Sequence, residues 1–269
     1  MNPIPRITVA PNGARLRKAD HAALPMTAQE LAQTAYACQI AGADAIHLHV
    51  RDAQGRHSLD PDIYRDAMAA VSQSAPGMGI QITTEAGARY DVADQLRLLQ
   101  TLKPAAASIA IREIARAPEM VAEVYATAST HKTDVQHILY GPGCLDQLQD
   151  WWARGWAPET MRDAILVLGR YDPPRAGRPD EVKPLVDLAH RAGLRVTVCA
   201  FGPDEQACLL AAADMGCNLR VGFENNHVAP AGTVWPDNAT AVASLRTALH
   251  THVVTGSRDA NHAQPNGVF

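Results

Sequence analysis

The sequence is short of cysteine. Five are present (Cys38, Cys144, Cys199, Cys208 and Cys217), an odd number with no Cys-x-x-Cys pair. That excludes a disulfide framework and the common cysteine zinc sites, and it fits small buried thiols in a reducing cytoplasm. No run of Lys or Arg occurs, and the formal net charge is −4. A polyanion-binding surface for nucleic acid is therefore not expected. No apolar run exceeds strand length before a charge breaks it, so no bilayer span is expected. The opening residues, Met1 to Arg6, lack the basic and apolar regions of a signal peptide. These features together give a cytoplasmic expectation. The chain is 269 residues long, 47% apolar and 19% charged. It is large enough to bury one sizeable core.

What is present is an alternation. Short runs rich in β-branched residues predict strands near 6–11, 45–50, 79–84, 105–111, 135–140, 164–169, 195–201 and 219–224. Stretches with helical spacing follow almost every one. Thr27 and Glu30 have the spacing of a capping box, opening a helix that reaches Ile40. Asp60-Pro61 places a cap residue before a proline at a first helical position. Gly42, Gly193 and Gly216 each stand between a helical stretch and an apolar strand, where a left-handed helix end is expected. Eight such units predict a single-domain parallel (β/α)8 barrel over residues 1–254. A doubly wound open sheet is the rival, but Pro11-Asn12-Gly13-Ala14 is not a Gly-x-Gly-x-x-Gly loop. The polar, aperiodic stretch 255–269 is expected to be a tail, an arm toward a neighbouring subunit.

The most informative tripeptide is His47-Leu48-His49. Strand side chains alternate, so both imidazoles face one side. They stand at the strand end that leads into Arg51-Asp52, the catalytic face of such a barrel. Two imidazoles at this spacing favour a shared metal over a hydrogen-bonded interior pair. In the eighth strand, Arg220, Gly222 and Glu224 alternate with Val221 and Phe223. A carboxylate ending an apolar strand needs a cation. Glu224 can reach the metal, pair with Arg220, or do both. His47, His49 and Glu224 with an open position suit a catalytic ion, most often zinc, with manganese or cobalt as substitutes.

The blocks Gly13-Ala14, Leu24-Pro25-Met26-Thr27, Ala41-Gly42-Ala43, His47 to Asp52, Gln81-Ile82-Thr83-Thr84 and Arg220 to Asn226 resemble the β-keto acid cleavage enzymes, from about residue 6 to about residue 250. The resemblance implies a TIM barrel, one zinc per subunit on His47, His49 and Glu224, and a homo-oligomer, commonly a tetramer. It implies acetyl-CoA as co-substrate. A β-keto acid condenses with it, and a retro-Claisen step releases acetoacetate and a new acyl-CoA. The first step expected is addition of an acetyl-CoA carbon nucleophile to the ketone. Arg220 corresponds to a catalytic arginine and Thr83 to a substrate-binding hydroxyl.

Three positions depart from the characterised pattern. Arg15 stands where that pattern has glutamate, Asn225 where it has aspartate, and Glu113 where it has a small hydroxyl residue. Arg15 is then expected to bind an acidic tail or a CoA phosphate, or to be a surface loop arginine. Arg220 is a poor base because its pKa exceeds about 12. Glu85 and Glu113 are the candidate bases, each otherwise a solvated loop carboxylate. Asn12 and Asn225 complete the expected substrate-side set.

His137 is expected to be a packed strand histidine, and His57, His131, His227, His250 and His252 to be surface residues. Trp151, Trp152 and Trp156 are expected on one helix, in packing or a subunit contact, with Trp235 similar. A metal-dependent hydrolase barrel would carry its His-x-His on the first strand and more histidines on late strands, which this chain does not. The remaining alternatives are a metal-dependent aldolase without CoA and a metabolite-binding barrel that does not turn over.

Overall fold

A computed structural model describes residues 5–171 and 173–262, the side chains of 253–262 excepted. Eight parallel strands form a closed barrel in chain order. They are β1 (Ile7–Val9), β2 (Ala45–Leu48), β3 (Gly79–Thr83), β4 (Ala106–Ala110), β5 (Asp134–Leu139), β6 (Asp163–Leu168), β7 (Arg195–Ala200) and β8 (Asn218–Val221). Closure is made by β1, which pairs with β2 through Val9 and Ile46 and with β8 through Val9 and Val221. A helix follows each strand: α1 (Ala28–Ile40), α2 (Pro61–Ser74), α3 (Val92–Leu102), α4 (Val121–Thr130), α5 (Pro142–Ala153), α6 (Val182–Arg191), α7 (Glu205–Asp214) and α8 (Asn238–His262). The (β/α)8 expectation holds.

Local chemistry sets the ends as the sequence indicates. Thr27 Oγ1 accepts from the Glu30 amide, and Glu30 Oε2 accepts from the Thr27 amide, which closes the capping box of α1. Such a cap is worth about 1 kcal/mol. Asp60 caps α2, accepting from the Asp62 amide, with Pro61 in the first turn. Gly42, Gly193 and Gly216 all have positive φ. At the same end of the barrel as these glycines, Arg246 of α8 donates to the carbonyls of Gly42 and Pro5 and pairs with Asp44 at 2.7 Å. Asp44 in turn accepts from the Ile7 amide. One arginine thus ties the last helix to the first two strands.

Several strands stop short of their expected ends. β2 ends at Leu48, and Val50–Arg51 instead pairs antiparallel with His57–Ser58 in a small ribbon. β4 gives way at Ile111 to one helical turn, Ile111–Ile114. β8 ends at Val221, because Gly222 adopts φ +138 and turns the chain. The last helix continues to His262, into the stretch expected to be a tail, and 263–269 lie outside the described residues.

The apolar core lies between barrel and helices, where Ile46, Leu48, Ile82, Leu98 and Trp151 are fully buried. Trp151 and Trp152 pack on α5, but Trp156 lies beyond its end at Ala153. His137 points to the helices, bonded to Tyr125 Oη and to the Met161 carbonyl. All five cysteines are free. Among the described residues, no helix is long and apolar enough to cross a membrane.

Candidate metal centre and substrate cavity

β2 delivers His47 into the barrel, level with Gln81 of β3. His47 Nδ1 lies 2.7 Å from Gln81 Oε1. The amide oxygen can only accept, so Nδ1 carries the proton and Nε2 keeps its lone pair for the cavity. Gln81 Nε2 donates to Gln136 Oε1, and Gln136 Nε2 donates to Thr197 Oγ1. A hydrogen-bonded floor therefore crosses the barrel beneath His47, from β2 to β7.

His49 follows the end of β2, and its carbonyl accepts from Asn12 Nδ2 at 3.1 Å. Its ring centroid is 5.1 Å from that of His47. Glu224 comes from the turn after β8 rather than from the strand itself. Its amide donates to the Ala10 carbonyl, and its carbonyl accepts from Tyr171 Oη. The turn is built on glycine. A Cβ on Gly222 would fall 2.5 Å from the Ala10 oxygen. A Cβ on Gly13, itself at φ +59, would fall 2.6 Å from Glu224 Cγ.

Glu224 divides its two oxygens. Oε1 accepts from Arg220 Nη2 at 3.0 Å. Oε2 is 3.2 Å from His49 Nε2 and 3.9 Å from His47 Nε2. The three side chains are buried, and one ligand atom from each falls within 4.8 Å of the others. His49 Nε2 and Glu224 Oε2 are buried with no hydrogen-bond partner.

Burial pushes His47 down to about 3 and His49 down to about 4, against the pull of Glu224. Both rings are neutral and offer lone pairs. Glu224 is held well below the usual carboxylate range: burial alone would raise it, but the Arg220 guanidinium prevails. Two neutral imidazoles converging on an anion, with His49 Nε2 and Glu224 Oε2 unpartnered, fit a divalent cation. A hydrogen-bonded interior pair would leave no such orphans.

A cavity of about 70 Å³ opens beside these groups. Its polar half is lined by His47, Thr83, Glu85, Arg220, Glu224 and Arg15. Thr83 Oγ1 accepts from the Glu85 amide, which leaves its hydroxyl proton free to donate. Glu85 Oε2 is 3.9 Å from His49 Nε2. Burial, with Glu224 and Glu113 nearby, pushes Glu85 up to about 7. Arg220 is buried and donates to Cys199 Sγ as well as to Glu224. Arg15 is exposed at the rim, its guanidinium 4.9 Å from the Tyr171 ring centre.

His49 lies behind this cavity's lining, and three further expected site residues do not line it. Glu113 accepts from the Ala86 amide and from Gln95 Nε2, so it braces the loop behind Glu85. Asn12 donates to the Pro25 and His49 carbonyls and acts as scaffold. Asn225 is buried, and its side-chain oxygen and nitrogen find no partner among the described residues. Nothing in the structure explains that amide.

Other residues belong near the site but carry weak sequence signals. His57, expected at the surface, is buried, with its ring 5.3 Å from that of His49. It bonds the Glu85 carbonyl. Its chain position in the ribbon, not in a barrel strand, hid this. Arg51 is buried and donates to the carbonyls of Asn12, Gly13, Ala14 and Gly55, clamping the first loop against Glu224. Tyr171 and Tyr140 line the cavity from loops, and Arg112 from the helical turn after β4.

Comparison with known proteins places this arrangement. A family model described as beta-keto acid cleavage enzyme matches residues 6–256. The chain is 36% identical to a 3-keto-5-aminohexanoate cleavage enzyme of Fusobacterium nucleatum subsp. nucleatum over 250 residues, 88% of each chain. It is 34% identical to a 3-oxoadipate:acetyl-CoA acetyltransferase of Cupriavidus necator over 104 residues, 39% of this chain and 36% of that one. Among solved structures, the apo structure of ObcA superposes with a TM-score of 0.70 at 15% identity, covering 86% of this chain and 62% of that one. A 3-dehydroquinate dehydratase of Geobacillus kaustophilus gives 0.59 at 15% identity, covering 91% of each chain. These two likenesses speak for the barrel alone. The family match over most of the length, with a relative of the same extent, shows that the chain belongs to the β-keto acid cleavage enzyme family.

Proposed function

We propose that this chain exchanges acyl groups between a β-keto acid and acetyl-CoA, releasing acetoacetate and a new acyl-CoA, with zinc held by His47, His49 and Glu224. The observation that carries the proposal is the pair of buried, unpartnered atoms, His49 Nε2 and Glu224 Oε2, facing each other beside Arg220. Two relatives named for a β-keto acid cleavage and for an acetyl-CoA transfer support the chemistry. When bound, a divalent ion there supplies Lewis-acid polarisation of the ketone and an anchor for the adjacent carboxylate.

Atom balance corrects the expected first step. Acetoacetate contains the acetyl group joined to the CH₂–COO⁻ of the β-keto acid. The carbon nucleophile is therefore the α-carbon of the β-keto acid, not acetyl-CoA. A base takes the α-proton, the α-carbon bonds to the acetyl carbonyl, and the CoA thiolate leaves. The thiolate then adds to the original ketone carbon, and the bond from that carbon to the α-carbon breaks. The electron pair returns to the α-carbon, which recovers the proton.

Glu85 is the proton carrier in this scheme, because among the described residues it and Glu224 are the two carboxylates lining the cavity and Glu224 is committed to Arg220 and the metal. One group that removes and returns the same proton suffices. Arg220, fixed by Glu224 and Cys199, faces the developing negative charge without moving. Thr83 donates its hydroxyl proton to a substrate oxygen. Arg15 at the rim receives an anionic part of the ligands.

A homo-oligomer, tetramer favoured, with 255–269 as its arm, is part of the same proposal. It is supported by Tyr36 and Ile40, apolar side chains exposed on one face of α1. Light scattering checks it.

The central test is acetoacetate release from acetyl-CoA and a panel of β-keto acids, with metal content measured in parallel. Glu224→Gln is expected to lower zinc binding and abolish turnover. Unchanged turnover in that variant overturns the metal role. Cleavage of a β-keto acid without CoA replaces the reading with an aldolase-type lyase.

A further inference from the structure

The cavity has two unlike halves. The metal ligands and Arg220 come from β2 and β8 and the turns after them. The wall on the side of β4 to β7 is apolar, made by Ala110, Ile138, Val167 and Phe201. A β-keto carboxylate held at the first half must lay the rest of its chain along the second.

At the far edge of the apolar wall stands Arg112, two residues past the end of β4. In the closed strand order β4 is four strands from β8, so Arg112 and Glu224 rise from opposite sides of the barrel. The Arg112 guanidinium carbon sits over Tyr140, 3.4 Å from the ring centre. A cation held against a ring face in this way is positioned without using its N–H donors. Among the described residues, Arg112 has no ion-pair or hydrogen-bond partner. Its sequence neighbour Glu113 is near enough to feel its charge, but Glu113 accepts its hydrogen bonds from Ala86 and Gln95. Among the described residues the charges lining the cavity are also unbalanced: Arg15, Arg112, Arg170 and Arg220 against Glu85 and Glu224. Arg220 is matched by Glu224, and Arg170 Nε donates to the Pro173 carbonyl. A planar guanidinium with its hydrogen-bond donors uncommitted, at the end of an apolar wall, suits a carboxylate, which it can grip through two parallel hydrogen bonds.

We infer that the preferred substrate is a β-keto dicarboxylic acid, whose distal carboxylate is held by Arg112 on its Tyr140 platform while its methylene chain lies against Ile138, Val167 and Phe201. Arg112 is then a specificity-determining residue. The inference rests on the acyl-exchange reading above, and it adds the substrate class. Anionic phosphates of CoA are the other source of negative charge, and the test separates them.

Two six-carbon 3-oxo acids, one ending in carboxylate and one in methyl, are compared on wild type, Arg112→Gln, Tyr140→Leu and Arg15→Gln. Turnover is measured with acetyl-CoA, and binding by calorimetry with each acid alone. Wild type is expected to favour the dicarboxylate. Arg112→Gln is expected to lose roughly 10- to 100-fold in kcat/KM and in affinity on the dicarboxylate, the range of a hydrogen-bonded charge, with little change on the methyl-ended acid. Tyr140→Leu is expected to lose part of the same selectivity. An unchanged KM for acetyl-CoA in Arg112→Gln is also expected.

Equal losses on both acids with a raised KM for acetyl-CoA would assign Arg112 to CoA and overturn the inference. A wild-type preference for the methyl-ended acid, or selectivity lost in Arg15→Gln and kept in Arg112→Gln, would also overturn it. Failure of the acyl-exchange reading looks different. No acetoacetate would form from either acid, and Arg112-dependent binding of the dicarboxylate would still stand.

Discussion

Gln81 Oε1 receives the proton of His47 Nδ1 at 2.7 Å, and that one bond determines which nitrogen of His47 faces the cavity. An outer partner of this kind orients a metal ligand and raises its basicity. Its loss usually weakens metal affinity by roughly 10- to 100-fold. Gln81→Leu is expected to fall in that range in a competition titration with a chelator. Zinc affinity equal to wild type would show that the β3 amide does not orient His47.

Gly13 and Glu224 are separated by less than a side chain. Gly13→Ala adds a Cβ 2.6 Å from Glu224 Cγ, on a backbone at φ +59. Left-handed backbone without glycine costs of order 1–3 kcal/mol. The carboxylate must also retreat from His49. Both a lower melting temperature and a weaker metal site are expected, read by thermal unfolding with and without zinc. A variant with wild-type values in both would place the Gly13 loop away from Glu224.

Arg51 holds four backbone carbonyls from two loops. A lysine has the charge but not the planar fork. Arg51→Lys leaves buried carbonyls unmatched, at about 1–3 kcal/mol each when truly desolvated. Equilibrium unfolding in denaturant is expected to show a loss of at least that order. Retained stability with retained zinc affinity would deny the clamp.

Glu205 gives the pH signature. It is buried, and burial pushes its carboxyl up to about 8, although bonds from Asn226 and Gly222 and the charge of Arg220 oppose this. The folded state therefore holds this proton more tightly than the unfolded chain, whose carboxyl titrates near 4.5. The stabilisation is full below about 4.5, declines as pH rises, and is gone above about 8. The slope within that window reaches about 1.4 kcal/mol per pH unit. In Glu205→Gln the decline is expected to vanish, so the variant gains on wild type as pH rises. Parallel unfolding profiles for the two proteins would contradict this.

The barrel was legible because each unit repeats the same signals. The capping box at Thr27, the Asp60-Pro61 start and the glycines before strands all act locally, and each is found where its chemistry places it. His47 and His49 were legible because strand alternation puts them on one side. Glu224 was reached by a different route from the one its alternation implies, since β8 stops at Val221 and a glycine turn presents the carboxylate. Asn12 and Glu113 look like site residues along the chain. Which way a polar side chain faces is decided by backbone groups elsewhere, here Pro25, His49 and Ala86. His57 was hidden for the same reason, because a two-residue ribbon leaves no periodic trace. Arg112 has no local signal at all, and its place depends on Tyr140 from the loop after the next strand.

The most direct measurement follows an isotope. Zinc-loaded protein is given acetyl-CoA labelled at the acetyl carbonyl carbon, with an unlabelled β-keto acid, and both products are collected. Label is expected in the ketone carbon of acetoacetate and absent from the new acyl-CoA, with no product when zinc is removed. Label in the acyl-CoA, or cleavage of the β-keto acid without transfer of the acetyl group, would contradict acyl exchange at the His47, His49 and Glu224 centre.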